Sequence, residues 1–217
     1  MTGRAIVAIV TALVAGVVLP RAAPGEPLTF KLLQNQSRAT FKSDAMLETV
    51  VGNTAAEGIQ GMLVVDPARP QDAKGTIRID MNTVRTGIDK RDADMRGKNY
   101  LDTEVEANRW VTFEVKTIEI FGPLIVGKEI PAKIIGILTV KQKPVQRTVD
   151  GTVAWIKLTP EQVEAQKRFG FTSDNIKVRA KFATTFTDHG MQIPQLLILK
   201  VSNDIQLETD LTFVRAQ

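Results

Sequence analysis

The sequence predicts an all-β protein, an antiparallel sheet of about eight to ten strands closing into a barrel, with one or two short helices. Three observations carry this. Most segments alternate apolar and polar residues with period two, no long helical periodicity interrupts them, and one charged connector divides the strands into two runs. Alternation gives each strand one wet and one dry face, which suits an antiparallel sheet, because parallel strands under helices are apolar on both faces.

The elements follow in chain order. "AIVAIVTALVAGVVL" (5–19) is an uncharged run behind Arg4. It is short for a membrane span and fits the apolar stretch of an export signal. Residues 1–25 are read as a signal peptide and 26–217 as one domain; removal of the signal and its retention as an anchor both stay open. "RATFK" then sets Ala39 and Phe41 against Arg38, Thr40 and Lys42. "TIRIDM" sets Ile77 and Ile79 against Thr76, Arg78 and Asp80, and "WVTFEVKT" sets Val111, Phe113 and Val115 against Thr112, Glu114 and Lys116. "IKVRAKFATTF" (176–186) and "IQLETDLTF" (205–213) repeat the pattern. "GMLVV" (61–65), "KIIGILTV" (133–140) and "QLLILKV" (195–201) are apolar throughout and read as strands covered on both sides. Gly136 inside the second suggests a bend or bulge. "GNTAAEG" (52–58) reads as a hairpin turn. Helix candidates are 88–101 and a turn around 159–168.

An eight-stranded barrel either fills with side chains or holds one small ligand. The inward set here, Phe41, Ile77, Ile79, Phe113, Val115 and Leu138, is aliphatic and phenyl. A cavity between them wants a hydrocarbon.

Composition narrows the function. The chain has no cysteine and a single histidine, so a thiolate site, a disulfide framework and an all-histidine metal cluster are excluded. No metal site, cofactor or catalytic residue is expected. His189 has no serine in a nucleophile-elbow context, and "FTDHGMQIP" reads as a surface turn. Tyr100, Trp110 and Trp155 read either as ordinary strand and core residues or as aromatics that stack on a quinone or sugar. Without Arg4 and Arg21, 26 basic residues face 24 acidic ones, a net +2. That is too weak for a nucleic-acid reader.

The connector "TGIDKRDADMRGKNYLDTE" (86–104) holds nine charged side chains around Ile88, Met95, Tyr100 and Leu101. With "TVRTGIDKRDADMRGKNYLDTEVEANRWVTFEV" (83–115) around it, this stretch resembles the YceI-like lipid/polyisoprenoid-binding family of exported bacterial proteins. The resemblance rests on Thr86, Arg91, Asp92, Met95, Arg96, Tyr100, Leu101, Thr112 and Phe113, and extends more weakly over about residues 28–214. Departures are Asp94, where the family carries a histidine, Asn108-Arg109 in place of an aromatic-proline pair, and "KQK" (141–143), which lacks a turn glycine.

The resemblance implies a lipocalin-like barrel that holds a long-chain lipid or isoprenoid, in the periplasm or secreted. The connector then becomes a short helix over one barrel end. Ile88, Met95, Tyr100 and Leu101 form an apolar lid, while Arg91, Asp92 and Arg96 stand at the solvated rim. At that rim they either meet a head group or Arg91 and Asp92 pair with each other. A lipid-directed hydrolase, a solid barrel that binds a partner, and a homodimer are also left open.

Overall fold

A computed structural model describes residues 26–54, 56–196 and 199–216. The expected export segment lies outside the described residues. The strands are β1 (Leu28–Leu32), β2 (Arg38–Asp44), β3 (Thr49–Asn53), β4 (Ile59–Asp66) and β5 (Arg69–Asp80). Helices α1 (Asp89–Arg96) and α2 (Glu106–Arg109) follow, then β6 (Trp110–Ile120), β7 (Glu129–Val140) and β8 (Lys143–Lys157). Helix α3 (Pro160–Ala165), β9 (Asp174–Thr185), the short β10 (Gln195–Leu196) and β11 (Leu199–Lys200), and β12 (Asp204–Arg215) complete the chain.

The order β1-β4-β5-β6-β7-β8-β9-β12 returns to β1, so eight antiparallel strands close a barrel; β2 and β3 extend from β12. Each of these eight strands thus has a ladder neighbour on both sides over at least part of its length. Strand β12 explains the geometry. Its C-terminal end pairs with β1 (Phe213 opposite Leu32) and its N-terminal half with β2 (Leu207 opposite Phe41). One rim strand is thus broken at residues 33–37. Ser37 bridges the break, donating to the Leu33 carbonyl (2.9 Å) and accepting from Thr212 N (3.1 Å).

Below the break the barrel is sealed through β4. Above it, the Asn53–Arg85 bridge joins β3 to the chain that follows β5. The stretch 52–58 is accordingly a crossing from β3 to β4, not a hairpin turn, because these strands pair with different neighbours. The expected strand at 195–201 is also different: β10 and β11 pair only with each other, outside the barrel sheet.

The two halves pack differently. The sealed end is solid: Phe30 and Phe213 are fully buried, and Phe30 meets Trp155 edge-on at 5.5 Å. Trp155 donates to Asp174 (3.1 Å), so its N–H is satisfied inside the core. At the other end a second cluster, including Met81, Val84, Leu101, Val140 and Met191, surrounds open space. The turn after β7 needs positive φ at Lys141 (48°) and Gln142 (60°), the region where the family's glycine is missing. Gln142 is held there by a 2.8 Å bond to the buried Asn108 of α2. Opposite Gly136, the bulge falls in the facing strand, between Val115 and Thr117.

Candidate functional site

Two adjoining chambers lie within the barrel. The outer one, about 490 Å³, lies beneath α1 and against β2, β3 and the 186–195 loop. That volume falls within the roughly 300–1,000 Å³ usual for small-molecule sites. The inner one, about 110 Å³, reaches between the sheet faces. Ala39, Thr40, Ile79, Val111 and Leu207 border both.

Period-two alternation sets the inner wall. Register aligns Ile77 with Phe113 and Phe113 with Leu138 across three adjacent strands, so these side chains form one inward row. Ile77, Phe113, Val115 and Leu138 line the inner chamber, Phe41 the outer, and Ile79 both. The Phe113 and Phe182 rings meet at a tilt of 53°, their centroids 6.0 Å apart.

The connector forms the roof. Met95, Tyr100 and Leu101 border the outer chamber, and so does Ile88, which is half exposed at the mouth. Met81 joins them because Asp80 caps the turn Met81–Thr83 by accepting from Asn82 N (2.9 Å). Asp80 also accepts from Arg109 (2.6 Å), and this bond, against the cost of burial, holds its carboxyl below the usual value.

The charged triplet is arranged otherwise than expected. Asp92 is buried, not solvated, and does not pair with Arg91. Its carboxylate accepts from the N–H (2.9 Å) and Oγ1–H (2.6 Å) of Thr86, which ties the incoming loop to the first turn of α1. Burial alone would push this carboxyl up. The Thr86 donors, with the Arg96 and Arg85 charges, outweigh burial and hold it below its ordinary range. Arg91 borders the cavity, donates to Thr86 Oγ1 (3.0 Å) and pairs with Glu48 of the β2–β3 turn. Arg96 reaches the Val84 carbonyl at 3.4 Å; neither it nor Asp92 is among the cavity-lining residues. Asp92 and Arg96 therefore lie behind the lid, while Arg91 shares its cavity side.

His189 corrects a second expectation. It is fully buried in the cavity wall, not on a surface turn. Its Nδ1 faces the Lys143 carbonyl (3.1 Å) and therefore carries the proton, leaving Nε2 to accept from Thr184 Oγ1 (2.7 Å). Burial, reinforced by Arg147, keeps the imidazole neutral below its ordinary 6.5, against the opposing pull of the Lys143 carbonyl and Asp188.

Sequence reasoning missed Ser43, Thr184, Met191 and Val201 in this wall. Ser43 was within reach of the period-two pattern, since it shares a strand face with Ala39 and Phe41. Met191 and Val201 come from irregular chain, where no periodicity marks a face. Among the described residues no three His, Asp or Glu side chains gather to hold a metal ion, and no helix is long and apolar enough to cross a membrane.

A closed antiparallel barrel with an apolar chamber under a short helical roof defines a small-ligand-binding barrel. The chain belongs to the YceI-like domain family, which matches residues 30–213. Among solved structures it resembles BcnA of Burkholderia cenocepacia (TM-score 0.63, 17% identity, 82% of this chain and 97% of that one). A polyisoprenoid binding domain from Saccharophagus degradans, implicated in plant cell wall breakdown, gives TM-score 0.64 at 16% identity, over 87% and 99% of the two chains. The YCEI protein of Campylobacter jejuni gives 0.58 at 17%, over 78% and 86%. No curated protein matches the sequence.

Proposed function

We propose that this protein is an exported carrier that holds one long-chain amphiphile, such as a polyisoprenoid, an isoprenoid quinone or a fatty acid derivative, and acts by binding rather than by chemistry. The observation that carries this is a pair of largely apolar chambers that share five wall residues, from the mouth to the middle of the barrel. A chain threaded along them loses water-exposed surface at about 25 cal/mol per Å². Affinity then follows tail length, moderated by the cost of ordering the tail. The description of the Saccharophagus degradans domain as polyisoprenoid binding supports the ligand class. The uncharged 5–19 run supports export, and with it a periplasmic or secreted location.

The roof gives the ligand a way in. Residues 86–96 are tied down by polar bonds at Thr86, Asp92 and Arg91; their cavity side carries Ile88 and Met95 together with the paired charges of Lys90, Arg91 and Asp94. Breaking the Arg91–Glu48 pair frees the roof from the β2–β3 turn without disturbing the barrel ladder.

The test is native mass spectrometry and lipid extraction of the protein purified from its host. A co-purifying long-chain lipid, released on denaturation with its mass unchanged, supports the carrier. Hydrolysed or modified lipid supports an enzyme instead. A protein that arrives empty and takes up no added isoprenoid or fatty acid overturns the reading.

A further inference from the structure

One polar group in the outer chamber is not explained by folding. Ser43 is 3% exposed, borders the cavity, and its Oγ has no hydrogen-bond partner. Buried hydroxyls are nearly always satisfied, and one left alone costs stability that alanine at the same place would not. No hydrogen bond of the fold uses this hydroxyl, which leaves it free to meet a group inside the chamber.

Its position along the barrel fits an end group. Ala39 and Thr40 border both chambers, whereas Phe41 and Ser43 border only the outer one, so β2 climbs from the junction toward the mouth. From Ala39 to Ser43 the climb is about 13 Å at strand spacing. A ligand with its tail in the inner chamber brings its other end past Ser43.

The surroundings say what kind of end. The ladders that pair Lys42 with Gln206 and Ile205 with Thr184 place Ser43, Ile205 and Thr184 in one row across β2, β12 and β9. Thr184 is already satisfied, accepting from Arg147 (2.9 Å) and donating to the neutral His189. At the rim, Arg91 pairs with Glu48 and Lys90 with Asp94 (3.2 Å), so the charged groups lining the cavity cancel. None of these lining cations is left over for a phosphate.

We propose that Ser43 Oγ anchors an uncharged, oxygen-bearing head group, a hydroxyl, phenol or quinone carbonyl, at the outer end of the bound chain. The assignment rests on the amphiphile-carrier reading above. The hydroxyl serves either partner, since it donates to a carbonyl and accepts from an O–H.

The experiment compares wild type with Ser43→Ala, first without ligand and then against geranylgeraniol, geranylgeranyl phosphate and the parent hydrocarbon. Without ligand, the variant should melt about 2–4 °C higher, because an unmet hydroxyl is gone. With ligand, wild type should prefer the alcohol to the hydrocarbon, and the phosphate should bind no tighter than the alcohol. The variant should lose about tenfold in alcohol affinity, the worth of one buried hydrogen bond, and almost nothing for the hydrocarbon. Equal alcohol affinity in the two proteins overturns the anchor. A phosphate preferred over the alcohol overturns the uncharged head group. Failure of every probe on both proteins brings down the carrier reading itself, a result distinct from either.

Discussion

The ring of Phe41 lies over Gly52, its ladder partner on β3, so closely that a Cβ on Gly52 would stand 2.1 Å from Phe41 Cε1. The bare glycine seats the ring, and the seated ring walls the outer chamber. Gly52→Ala should drive the ring off this seat into the free space beside it. The expected outcome is a loss of about 1–3 kcal/mol in stability, typical of overpacking, with weaker binding of bulky chains. Urea titration and a ligand isotherm measure the two. Unchanged affinity would show that the displaced ring swings clear of the chamber.

Phe113 tests the inward faces. It lies between Ile77 and Leu138 in the ladder, and its ring covers Gly136, where a Cβ would fall 2.5 Å away. Phe113→Asp places an unpaired carboxylate among apolar side chains. Binding should be abolished and stability should fall by several kcal/mol. A wild-type urea midpoint would put this side chain on the wet face and invert the strand assignment.

His189 makes stability depend on pH in a defined direction. Its folded pKa lies below the ordinary 6.5, so in the window beneath that value the unfolded chain binds a proton that the folded one refuses. The contribution is therefore complete above 6.5 and is lost as pH falls toward the folded pKa, at up to about 1.4 kcal/mol per pH unit. Asp80 and Asp92 are depressed carboxylates, and their contribution is lost only below their ordinary 3.8. The windows are separate. His189→Gln keeps a donor for Lys143 and an acceptor for Thr184 but does not titrate. It should flatten the stability profile in the window just below pH 6.5 and leave the acid limb in place. The same slope in both proteins would assign the titration elsewhere.

The barrel was legible because each strand carries its own record: with one face wet, the residue two places along must be dry, and Phe41, Ile79 and Phe113 all obey. The roof was legible as apolar anchors in a charged segment. What could not be read were the polar partners that appear only once the chain folds back on itself. Asp92 looks like a rim charge until Thr86 folds back onto it, and His189 looks like a turn residue until Lys143, 46 positions away, supplies a carbonyl. The break at 33–37 was hidden for a related reason. Its cause is the sharing of β12 between β1 and β2, a fact of pairing that neither segment states alone.

Met95 and Arg96 are neighbours in the chain with opposite surroundings, and together they separate the roof's two layers. Met95 borders the chamber, so Met95→Ala removes wall that any tail touches, and every long chain should bind more weakly whatever its head group. Arg96 reaches the Val84 carbonyl behind the roof and adds its charge near Asp92. Arg96→Ala should therefore lower stability by about 0.5–1.5 kcal/mol, the net worth of an ordinary hydrogen bond, and should not discriminate between head groups. Binding isotherms for one tail carrying an alcohol or a phosphate, measured on wild type and both variants, decide the matter. A phosphate-selective loss in Arg96→Ala would mean that the guanidinium turns from Val84 to the ligand, and would return the rim to a head-group role.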